Sequence, residues 1–444
     1  MAKRLFGTDG IRGVAGQPPL DPQTVTALGL ALAGDLKRHS LADKPVLLGM
    51  DTRESGPAIA AQLAAALGER CVLVRSAGVI TTPGLAYLAR TGDFAAGVMI
   101  SASHNPFEDN GIKIFASTGF KLPDEEEHDV EEEIFRVLPG VTAPAAPPLP
   151  ESYSRRPYLD FLLSTLSTLL RGHRVVIDCG NGAASALAPE LFREAGADVT
   201  EIFDRPDGRN INLDCGALHL DALRARVLET GVDAGIAFDG DADRALLIAP
   251  SGRIVDGDAI MLIAGRRLQA DGHLPGNLVV STVMSNLGLE KALGRLGITM
   301  LRTAVGDKYV LEEMLRRNAA LGGEQSGHII FREFATTGDG MLTALKVLET
   351  SVREGATLDE LATDLKVYPQ LLVNVRVKER KPLDEMSRVQ DEIRACEAEL
   401  NGTGRVLVRY SGTEPLLRVM VEGEEQGQIE RLADRIADAI RAEL

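Results

Sequence analysis

The sequence predicts an α/β protein made of three related α/β domains with mixed, mostly parallel sheets, followed by a smaller C-terminal α+β domain. Its 444 residues exceed what one core usually holds, at roughly 100 to 200 residues per domain. Three successive segments repeat the order strand, helix, strand, helix, strand at intervals of about a hundred residues. Their strands are continuous apolar runs, which is typical of sheets covered by helices on both faces.

In each segment the predicted strands lead to a polar loop, and in the third segment this loop follows two predicted strands. Ligands of such sheets bind beyond the carboxyl ends of the strands, so we expect these loops to carry the chemistry. The polar loops read "SASHNP", "DGDADR" and "GGEQSGH". The predicted strands are 46–51, 71–76 and 95–100 in the first segment, 174–179, 198–204 and 233–238 in the second, and 277–282 and 298–303 in the third.

A Pro/Ala-rich connector and two weaker changes of pattern divide the chain. The connector is 138–152, and after Tyr368-Pro369 the strands alternate polar and apolar residues, as in a half-exposed sheet. The acidic run 124–133 is interpreted as the solvated face of a helix. The predicted domains are 1–150, 151–255, 256–367 and 368–444.

Composition excludes several classes of function. A formal net charge of −16 disfavours nucleic acid or an anionic membrane as a partner. The N-terminus lacks a signal-peptide core, and no apolar run approaches the ~18 residues of a membrane span. Hence we expect a soluble, cytoplasmic protein, with its oligomeric state, a homodimer included, left open. The cysteines form no CxxC pair, which argues against a disulfide framework or a thiolate zinc site: Cys71, Cys179, Cys215 and Cys396.

The loop "DGDADR" places Asp239, Asp241 and Asp243 at alternate positions just after a strand. Three carboxylates so close repel one another unless a cation lies among them, and their partial ligand set suits Mg²⁺ shared with a phosphate oxygen. An exposed acidic turn is the alternative. An EF-hand is excluded, because positions six and twelve are Arg244 and Pro250 rather than Gly and Glu.

The loop "SASHNP" offers Ser103 as an acceptor and donor of a phosphoryl group, followed by His104. A turn stabilised by Ser and Asn side chains before proline would look similar. Downstream, Lys113 could neutralise charge or move a proton.

Two later loops suit a phosphorylated sugar. "GGEQSGH" supplies Glu324, Ser326 and His328 for sugar hydroxyls, although a glycine-rich turn is the alternative. No Walker A loop or complete dinucleotide fingerprint is present, which disfavours ATP or NAD as a cofactor. "RYSGTEPLLR" has the chemistry of a phosphate clamp, with an ordinary hairpin loop as the alternative: Arg409, Ser411, Gly412, Thr413 and Arg418.

Five motifs in order, "FGTDGIRG", "SASHNP", "DGDADR", "GEQSGH" and "RYSGTEPLLR", resemble the α-D-phosphohexomutase family over the whole chain. The resemblance implies four domains around a central cleft. The opening motif, Gln325 in the sugar loop and "TAVGDKYV" (303–310) are most similar to members acting on glucosamine phosphates, which supply UDP-N-acetylglucosamine and cell-wall precursors. Members acting on mannose or glucose phosphates are the alternative, and a non-catalytic sugar-phosphate-binding protein would need a damaged serine or metal loop.

The resemblance also implies residue roles. Ser103 would be the phosphoserine and would bind one Mg²⁺ per chain with the three aspartates. A hexose or hexosamine 1,6-bisphosphate would be the intermediate and activator, and a hexosamine monophosphate the substrate. Glu324 and Ser326 would bind sugar hydroxyls near His328, while Lys308 and the clamp would hold the non-reacting phosphate. The reacting phosphoryl group would be lined by Arg12, His104, Lys113 and Arg244.

Overall fold

The computed structural model describes residues 5–7, 9–378, 380–411 and 415–444. Within these residues the strands form four sheets that follow one another along the chain. Neighbouring residues of one central strand enter different cores, since Val46 and Leu48 belong to one apolar cluster and Leu47 to another. Both faces of this sheet are therefore buried, which accounts for the continuous apolar run in the sequence.

The first domain has the sheet order β1-β2-β6-β5-β3-β4. Here β3, β4 and β5 are parallel, whereas β6 runs antiparallel to β5. The strands are β1 (Phe6–Gly7), β2 (Gly10–Val14), β3 (Val46–Met50), β4 (Val74–Val79), β5 (Ala96–Ile100) and β6 (Asp109–Ala116), and the helices are α1 (Pro22–Arg38), α2 (Gly56–Glu69), α3 (Thr82–Thr91) and α4 (Asp124–Val137).

The second domain has the sheet order β11-β10-β9-β7-β8. Its strands β7, β8 and β9 are parallel, and β10 runs antiparallel to β9. The elements are α5 (Arg156–Ser164), β7 (Arg174–Asp178), α6 (Ala188–Glu194), β8 (Asp198–Ile202), α7 (Asp221–Thr230), β9 (Ala234–Phe238), β10 (Ala245–Ile248) and β11 (Ile254–Val255).

The third domain has the sheet order β13-β12-β14-β15. Again the first three strands are parallel, and β15 runs antiparallel to β14. The elements are α8 (Gly257–Ala270), β12 (Leu278–Thr282), α9 (Leu287–Arg295), β13 (Thr299–Thr303), α10 (Asp307–Arg317), β14 (Leu321–Gly323), β15 (Ile329–Phe331), α11 (Gly340–Glu354) and α12 (Leu358–Leu361).

These three domains share one topology. In each, a parallel core is ordered second, first, third strand, and an antiparallel strand follows beside the third. The three polar loops of the sequence occupy the same place in this plan, between the third parallel strand and its antiparallel neighbour. Each loop is thus the connection of a hairpin at the carboxyl end of a buried strand, where ligands of such sheets bind.

The fourth domain is a three-stranded antiparallel sheet, β16-β18-β17, packed against two helices. Its apolar residues form a cluster of their own, whereas a single cluster joins the first three domains. The joint cluster includes Phe115 from the first domain, Tyr158 from the second and Leu345 from the third. The elements of the fourth domain are β16 (Gln370–Arg376), α13 (Ser387–Leu400), β17 (Arg405–Tyr410), β18 (Leu416–Glu422) and α14 (Gln426–Glu443).

The structure confirms the predicted fold class, and local details differ from the sequence expectation. The strand expected at 71–76 begins at Val74, because Cys71 has a φ of 63° and its N–H donates to Gly68 O, which ends α2 in a tight turn. The acidic run is helical as expected, yet Glu131 is buried and its Oε2 accepts from Leu5 N at 2.6 Å. One acidic residue therefore anchors the N-terminal strand. The predicted domain boundaries stay predictions.

A buried carboxyl group between the second and third domains makes stability depend on pH. Tyr158 OH donates to Asp339 Oδ2 at 2.8 Å, and burial raises the pKa of Asp339 to about 6. The folded state therefore holds this proton more tightly than the unfolded state. Its contribution is fully present below about pH 4 and is lost as pH rises through about 6, by about 2 to 3 kcal/mol.

Asp339→Asn removes this titration while retaining a side chain that can cap α11. Between about pH 4 and pH 7 we expect the free energy of unfolding of the variant to rise by about 2 to 3 kcal/mol relative to wild type. Urea denaturation across this range measures it. The control Asp198→Asn, at an exposed strand end, should leave the slope unchanged. Parallel pH profiles for wild type and Asp339→Asn would contradict the prediction.

Candidate active site

Ser103 lies in the loop between β5 and β6 and contacts the second domain. It is 1% exposed, and its φ of 52° lies in the left-handed region, which costs a non-glycine residue about 1 to 2 kcal/mol. Its Oγ donates a hydrogen bond of 2.5 Å to Asp239 Oδ2, and His104 Nδ1 lies 3.4 Å from Ser103 Oγ. The structure thus brings the predicted nucleophile against the predicted metal loop.

The three aspartates converge because their loop connects the hairpin of β9 and β10. Ala242 in this loop has a φ of 54°, a second left-handed position. One carboxylate oxygen from each of Asp239, Asp241 and Asp243 lies within 4.8 Å of the others, and all three residues are buried. Burial raises the pKa of Asp239 well above its usual value, and the carboxylates of Asp243 and Asp241 raise it further.

This donor set fits a hard divalent cation. In the part of the chain that the structure describes, no hydrogen-bond partner reaches the buried atoms Asp241 Oδ1 and Asp243 Oδ1. Buried carboxylate oxygens without partners are costly, and a cation that prefers oxygen ligands would satisfy them and offset their mutual repulsion. The acidic triad can therefore bind a metal ion.

Lys113 compensates part of the negative charge. Its Nζ, on β6, lies 2.9 Å from Asp241 Oδ2, 2.9 Å from Asp9 Oδ2 and 3.5 Å from Asp243 Oδ2. Burial acts to lower the pKa of Lys113, but the carboxylates, led by Asp241, outweigh it and hold the pKa well above its ordinary value. In this state Lys113 is an ammonium that neutralises charge on the neighbouring carboxylates and holds its proton tightly.

Two guanidinium groups border Ser103 and His104. Among the described residues, Arg12 Nε and Arg244 Nε are buried without a hydrogen-bond partner. Burial lowers the pKa of His104 to about 4, and the charges of Arg244 and Arg12 contribute to the shift. The imidazole is therefore neutral near pH 7. Positive charge with unused N–H donors beside the serine is an arrangement that binds a phosphate group.

The predicted sugar loop connects β14 and β15. Glu324 is half-buried and Ser326 is exposed. His328 is held from two sides, since its Nε2 accepts from Gly338 N at 2.9 Å and its Nδ1 lies 3.6 Å from Asp243 Oδ1. A Cβ on Gly257 would lie 1.9 Å from Glu324 O, so only glycine permits α8 to approach this loop so closely.

Most of these groups surround one cavity of about 420 Å³ between the first three domains. This volume lies in the range of small-molecule sites. The buried residues Ser103, Asp239, Asp241 and Lys113 do not line the cavity, and neither does the exposed Ser326. The predicted residues that do line it are Arg12, His104, Asp243, Arg244, Glu324 and His328.

The predicted clamp lies on the fourth domain. Arg409 and Arg418 are directly paired across β17 and β18, and Arg418 Nη2 donates to Ser411 Oγ at 3.3 Å. Burial lowers the pKa of Arg409, and the charge of Arg418 lowers it further. Two guanidinium groups therefore lie side by side on neighbouring strands of this domain. Gly412 and Thr413 lie outside the described residues.

Lys308 is not in the cleft cavity. Its Nζ forms an ion pair with Asp124 Oδ1 and lies 3.9 Å from Glu312 Oε1. It borders a neighbouring cavity of about 590 Å³ between the first and third domains. The role of Lys308 as a phosphate ligand stays a prediction.

Sequence reasoning missed a chain of charges that joins the first and third domains. Lys121 Nζ is 2.5 Å from Asp9 Oδ1 and 2.6 Å from Asp307 Oδ2, and Asp307 Oδ2 lies 3.8 Å from His328 Nε2. Two members stand in motifs that the sequence analysis used, Asp9 in "FGTDGIRG" and Asp307 in "TAVGDKYV". Each is the single acidic residue of its motif, which was the available signal.

A buried serine against an acidic triad, with two arginine side chains beside the neighbouring histidine, is the set of groups that a phosphotransferase uses. Comparison of the sequence with family profiles then identifies the family. The profiles are phosphoglucomutase/phosphomannomutase alpha/beta/alpha domain I at residues 3–139, domain II at 156–252, domain III at 256–368 and the C-terminal domain at 372–439. The chain belongs to the phosphoglucomutase/phosphomannomutase family.

Curated relatives of the chain are similar to it over their full length. A phosphoglucosamine mutase from Solibacter usitatus is 60% identical over 445 residues, which cover 100% of both chains. A phosphoglucosamine mutase from Koribacter versatilis is 50% identical and covers 99% of this chain and 97% of its own. The family match is therefore full-length.

Solved structures support the fold. A phosphoglucomutase/phosphomannomutase family protein from Burkholderia thailandensis superposes with a TM-score of 0.80 at 23% identity, covering 98% of this chain and 97% of its own. The Aspergillus fumigatus N-acetylphosphoglucosamine mutase, in complex with GlcNAc-6P and magnesium, has a TM-score of 0.65 at 20% identity and covers 99% and 96%. At these identities the likeness concerns the fold.

Binding of Mg²⁺ should stabilise the protein, because it relieves repulsion among the buried carboxylates. We expect a gain of about 2 to 3 kcal/mol at a free Mg²⁺ concentration about a hundredfold above Kd, measured by thermal unfolding with and without the ion. Asp239→Asn removes one charge from the triad, so its Mg²⁺-free form should unfold at a higher temperature than wild type and its Mg²⁺ increment should largely disappear.

The exposed control Asp198→Asn should retain the full Mg²⁺ increment. An undiminished increment in Asp239→Asn would show that the ion stabilises the protein from another site.

Proposed function

We propose that this protein catalyses the phosphoglucosamine mutase reaction, an intramolecular phosphoryl transfer that interconverts glucosamine 6-phosphate and glucosamine 1-phosphate. The chemistry is supported by one contact above all, the 2.5 Å hydrogen bond from Ser103 Oγ to Asp239 Oδ2 within the buried triad. The choice of sugar is supported by relatives of that name that are 46–60% identical to the chain over almost its whole length.

In the proposed cycle Ser103 begins as a phosphoserine. The free hydroxyl of the hexosamine monophosphate attacks the phosphorus, the bond from phosphorus to Ser103 Oγ breaks, and a 1,6-bisphosphate forms. After the bisphosphate has turned end for end, Ser103 Oγ attacks the other phosphate, regains a phosphoryl group and releases the isomeric monophosphate. The cycle consumes no phosphate, and a 1,6-bisphosphate can restore a lost phosphoserine.

One Mg²⁺ per chain would be held by Asp239, Asp241 and Asp243 together with Ser103 or its phosphate. When bound, the ion supplies positive charge to the oxygens of the transferring phosphoryl group. Among the described residues, Asp241 Oδ1 and Asp243 Oδ1 are buried without a hydrogen-bond partner, which supports this assignment.

The protein's own cations act at the same end of the substrate. Arg12 and Arg244 orient the reacting phosphoryl group through their unused N–H donors. Lys113 neutralises charge on the aspartates and is a candidate for proton transfer, and the neutral His104 has its Nδ1 3.4 Å from Ser103 Oγ. Electrostatic stabilisation of this kind is the main catalytic contribution in phosphoryl transfer.

The other end of the substrate would be bound by the sugar loop and the clamp. Glu324 and Ser326 hydrogen-bond the sugar hydroxyls close to His328. The paired guanidinium groups on the fourth domain support an anion site there. The proposed ligands of the non-reacting phosphate are Lys308, Arg409, Ser411, Gly412, Thr413 and Arg418.

The setting of this activity is proposed as well. Across the described residues, the helices include none that combines the length and apolarity needed to cross a membrane. A cytoplasmic location fits a hexosamine phosphate as substrate. A homodimer and the absence of nucleic-acid and membrane partners stay predictions.

Ser103→Ala tests the phosphoserine directly. Intact mass of the wild-type protein, incubated with glucose 1,6-bisphosphate, should show one added phosphoryl group, and the variant should show none. Mutase turnover should fall by at least about a thousandfold, because the group that carries the phosphate is lost. Ser154→Ala, an exposed serine outside the cleft, is the control. Full turnover in Ser103→Ala would refute the mechanism.

A substrate panel tests the sugar. We expect kcat/KM for glucosamine 6-phosphate to exceed the values for glucose 6-phosphate and mannose 6-phosphate by at least about tenfold, since binding groups at one sugar position discriminate by that order. The coupled assay is run on the phosphorylated enzyme with Mg²⁺. A preference for either neutral sugar would instead support a phosphoglucomutase or phosphomannomutase.

A further inference from the structure

Ser103 is held in its left-handed conformation by groups that lie outside the reacting site. Its carbonyl oxygen accepts from Arg53 Nη2 at 2.9 Å and from Asn212 Nδ2 at 3.0 Å. Gly240 packs against the same oxygen so closely that a Cβ there would lie 2.4 Å away. The amide N–H of Ser103 donates to Ser101 Oγ at 2.9 Å. Both polar groups of the Ser103 backbone are therefore fixed.

Arg53 follows β3 and is 1% exposed, yet it touches neither the cavity nor the metal ligands' carboxylates. Besides the Ser103 carbonyl, Nη2 donates to Asn105 O at 2.8 Å, and Nη1 donates to Asp109 O at 2.9 Å and to Pro106 O. The guanidinium thus donates hydrogen bonds to four carbonyl oxygens of the segment 103–109. Only a planar group with several donors in fixed directions can do this.

Asp51 completes the arrangement. Its Oδ2 accepts from Arg53 Nε at 2.9 Å and from Ser101 Oγ at 2.7 Å, and its Oδ1 accepts from Arg53 N at 3.0 Å. The path from the Ser103 N–H through Ser101 and the path from the Ser103 carbonyl through Arg53 both end on this carboxylate. The ring is closed and buried, so the serine backbone cannot turn without breaking a charge-assisted hydrogen bond.

We propose that the buried Asp51–Arg53 pair is a positioning device for the reaction: it holds the strained loop 103–109 so that Ser103 Oγ faces the acidic triad. The proposal rests on the proposed function of Ser103. Arg53 and Asp51 are positioning residues, because they act through the backbone of the nucleophile and contact no reacting atom. A phosphoserine displaced by about 1 Å would lose on the order of a hundredfold in transfer rate.

Three variants test the device. Arg53→Lys keeps the charge but has fewer donors with a different geometry. Asp51→Asn combined with Arg53→Met removes both charges, which avoids leaving one unpaired charge buried. Arg155→Met is the matched control, since Arg155 Nη1 also donates to a carbonyl of the first domain, Val79 O at 2.9 Å, but outside the loop 103–109.

We expect kcat to fall about tenfold in Arg53→Lys and about a hundredfold in the double variant, with KM within about threefold of wild type, because the sugar loop and the clamp are unchanged. The ³¹P resonance of the phosphoserine should be shifted or broadened in both. The control should retain wild-type kcat and the wild-type resonance, whatever its melting temperature.

A purely structural pair would give a different pattern. Lower melting temperatures with unchanged kcat per folded, phosphorylated molecule and an unchanged ³¹P resonance would overturn the proposal, as would KM and kcat changing together. If the double variant does not fold, Arg53→Lys alone decides between these outcomes. Phosphate content from intact mass normalises every rate to phosphorylated enzyme.

The proposed function can fail separately from the positioning device. If wild-type protein carried no phosphoserine at Ser103, or if Ser103→Ala kept full turnover, the function itself would be wrong. If wild type behaves as proposed while Arg53→Lys and the double variant keep wild-type kcat, only the positioning device is refuted.

Discussion

The rest of the site depends on one constraint, the burial of three neighbouring carboxylates. Asp239, Asp241 and Asp243 are buried with ligand oxygens inside 4.8 Å, so each ionised carboxylate needs compensation. Much of that compensation comes from outside the second domain, which carries them. Lys113 reaches the triad from the first domain, and His328 reaches it from the third. The electrostatics of one hairpin loop thus require three domains to pack together.

The shared topology of those domains explains how the packing succeeds. Each contributes the hairpin loop that follows its third parallel strand, and the three loops meet at one cavity. A single apolar cluster runs through all three domains, so the loops have a common rigid base. Because a parallel sheet buries its strands but exposes their carboxyl ends, residues at those ends are free to serve chemistry rather than packing.

The rule that ligands bind at the carboxyl ends of parallel strands also shows which parts of the site the sequence alone cannot reveal. It directed attention to Ser103 and the aspartates, since both loops follow a recognisable apolar strand, whereas Glu324 was singled out by its glycine-rich polar loop. It applies equally to β3, which ends at Met50 beside β5 and is followed by "DTRES", but the hydroxyls and separated acidic residues of that loop form no pattern that points to a reaction. The loop after β3 contributes to the site through the hydrogen bonds of Arg53 to a loop some fifty residues later. A local sequence pattern does not reveal such bonds.

Long-range pairing hid other features for the same reason. Lys121 and Asp307 are 186 positions apart, and each alone looks like an ordinary surface charge. Lys308 shows the reverse case, because its motif suggested the cleft while its side chain pairs with Asp124 beside a neighbouring cavity. Helix and strand patterns are local and were read correctly in the main. The direction of a long cationic side chain depends on which domain packs next to it.

The two ends of the site are built differently, and the reaction gives a reason. In the proposed cycle the reacting end needs one fixed geometry, and the left-handed backbone of Ser103 is held there by buried contacts from the first two domains. The other end would accept a phosphate attached at either position of the sugar, so we expect the clamp to recognise the phosphate while the sugar loop binds the ring. A pair of guanidinium groups on a domain with its own core suits that task. We expect this domain to shift as the bisphosphate turns, because its apolar cluster is separate from the one that joins the first three domains.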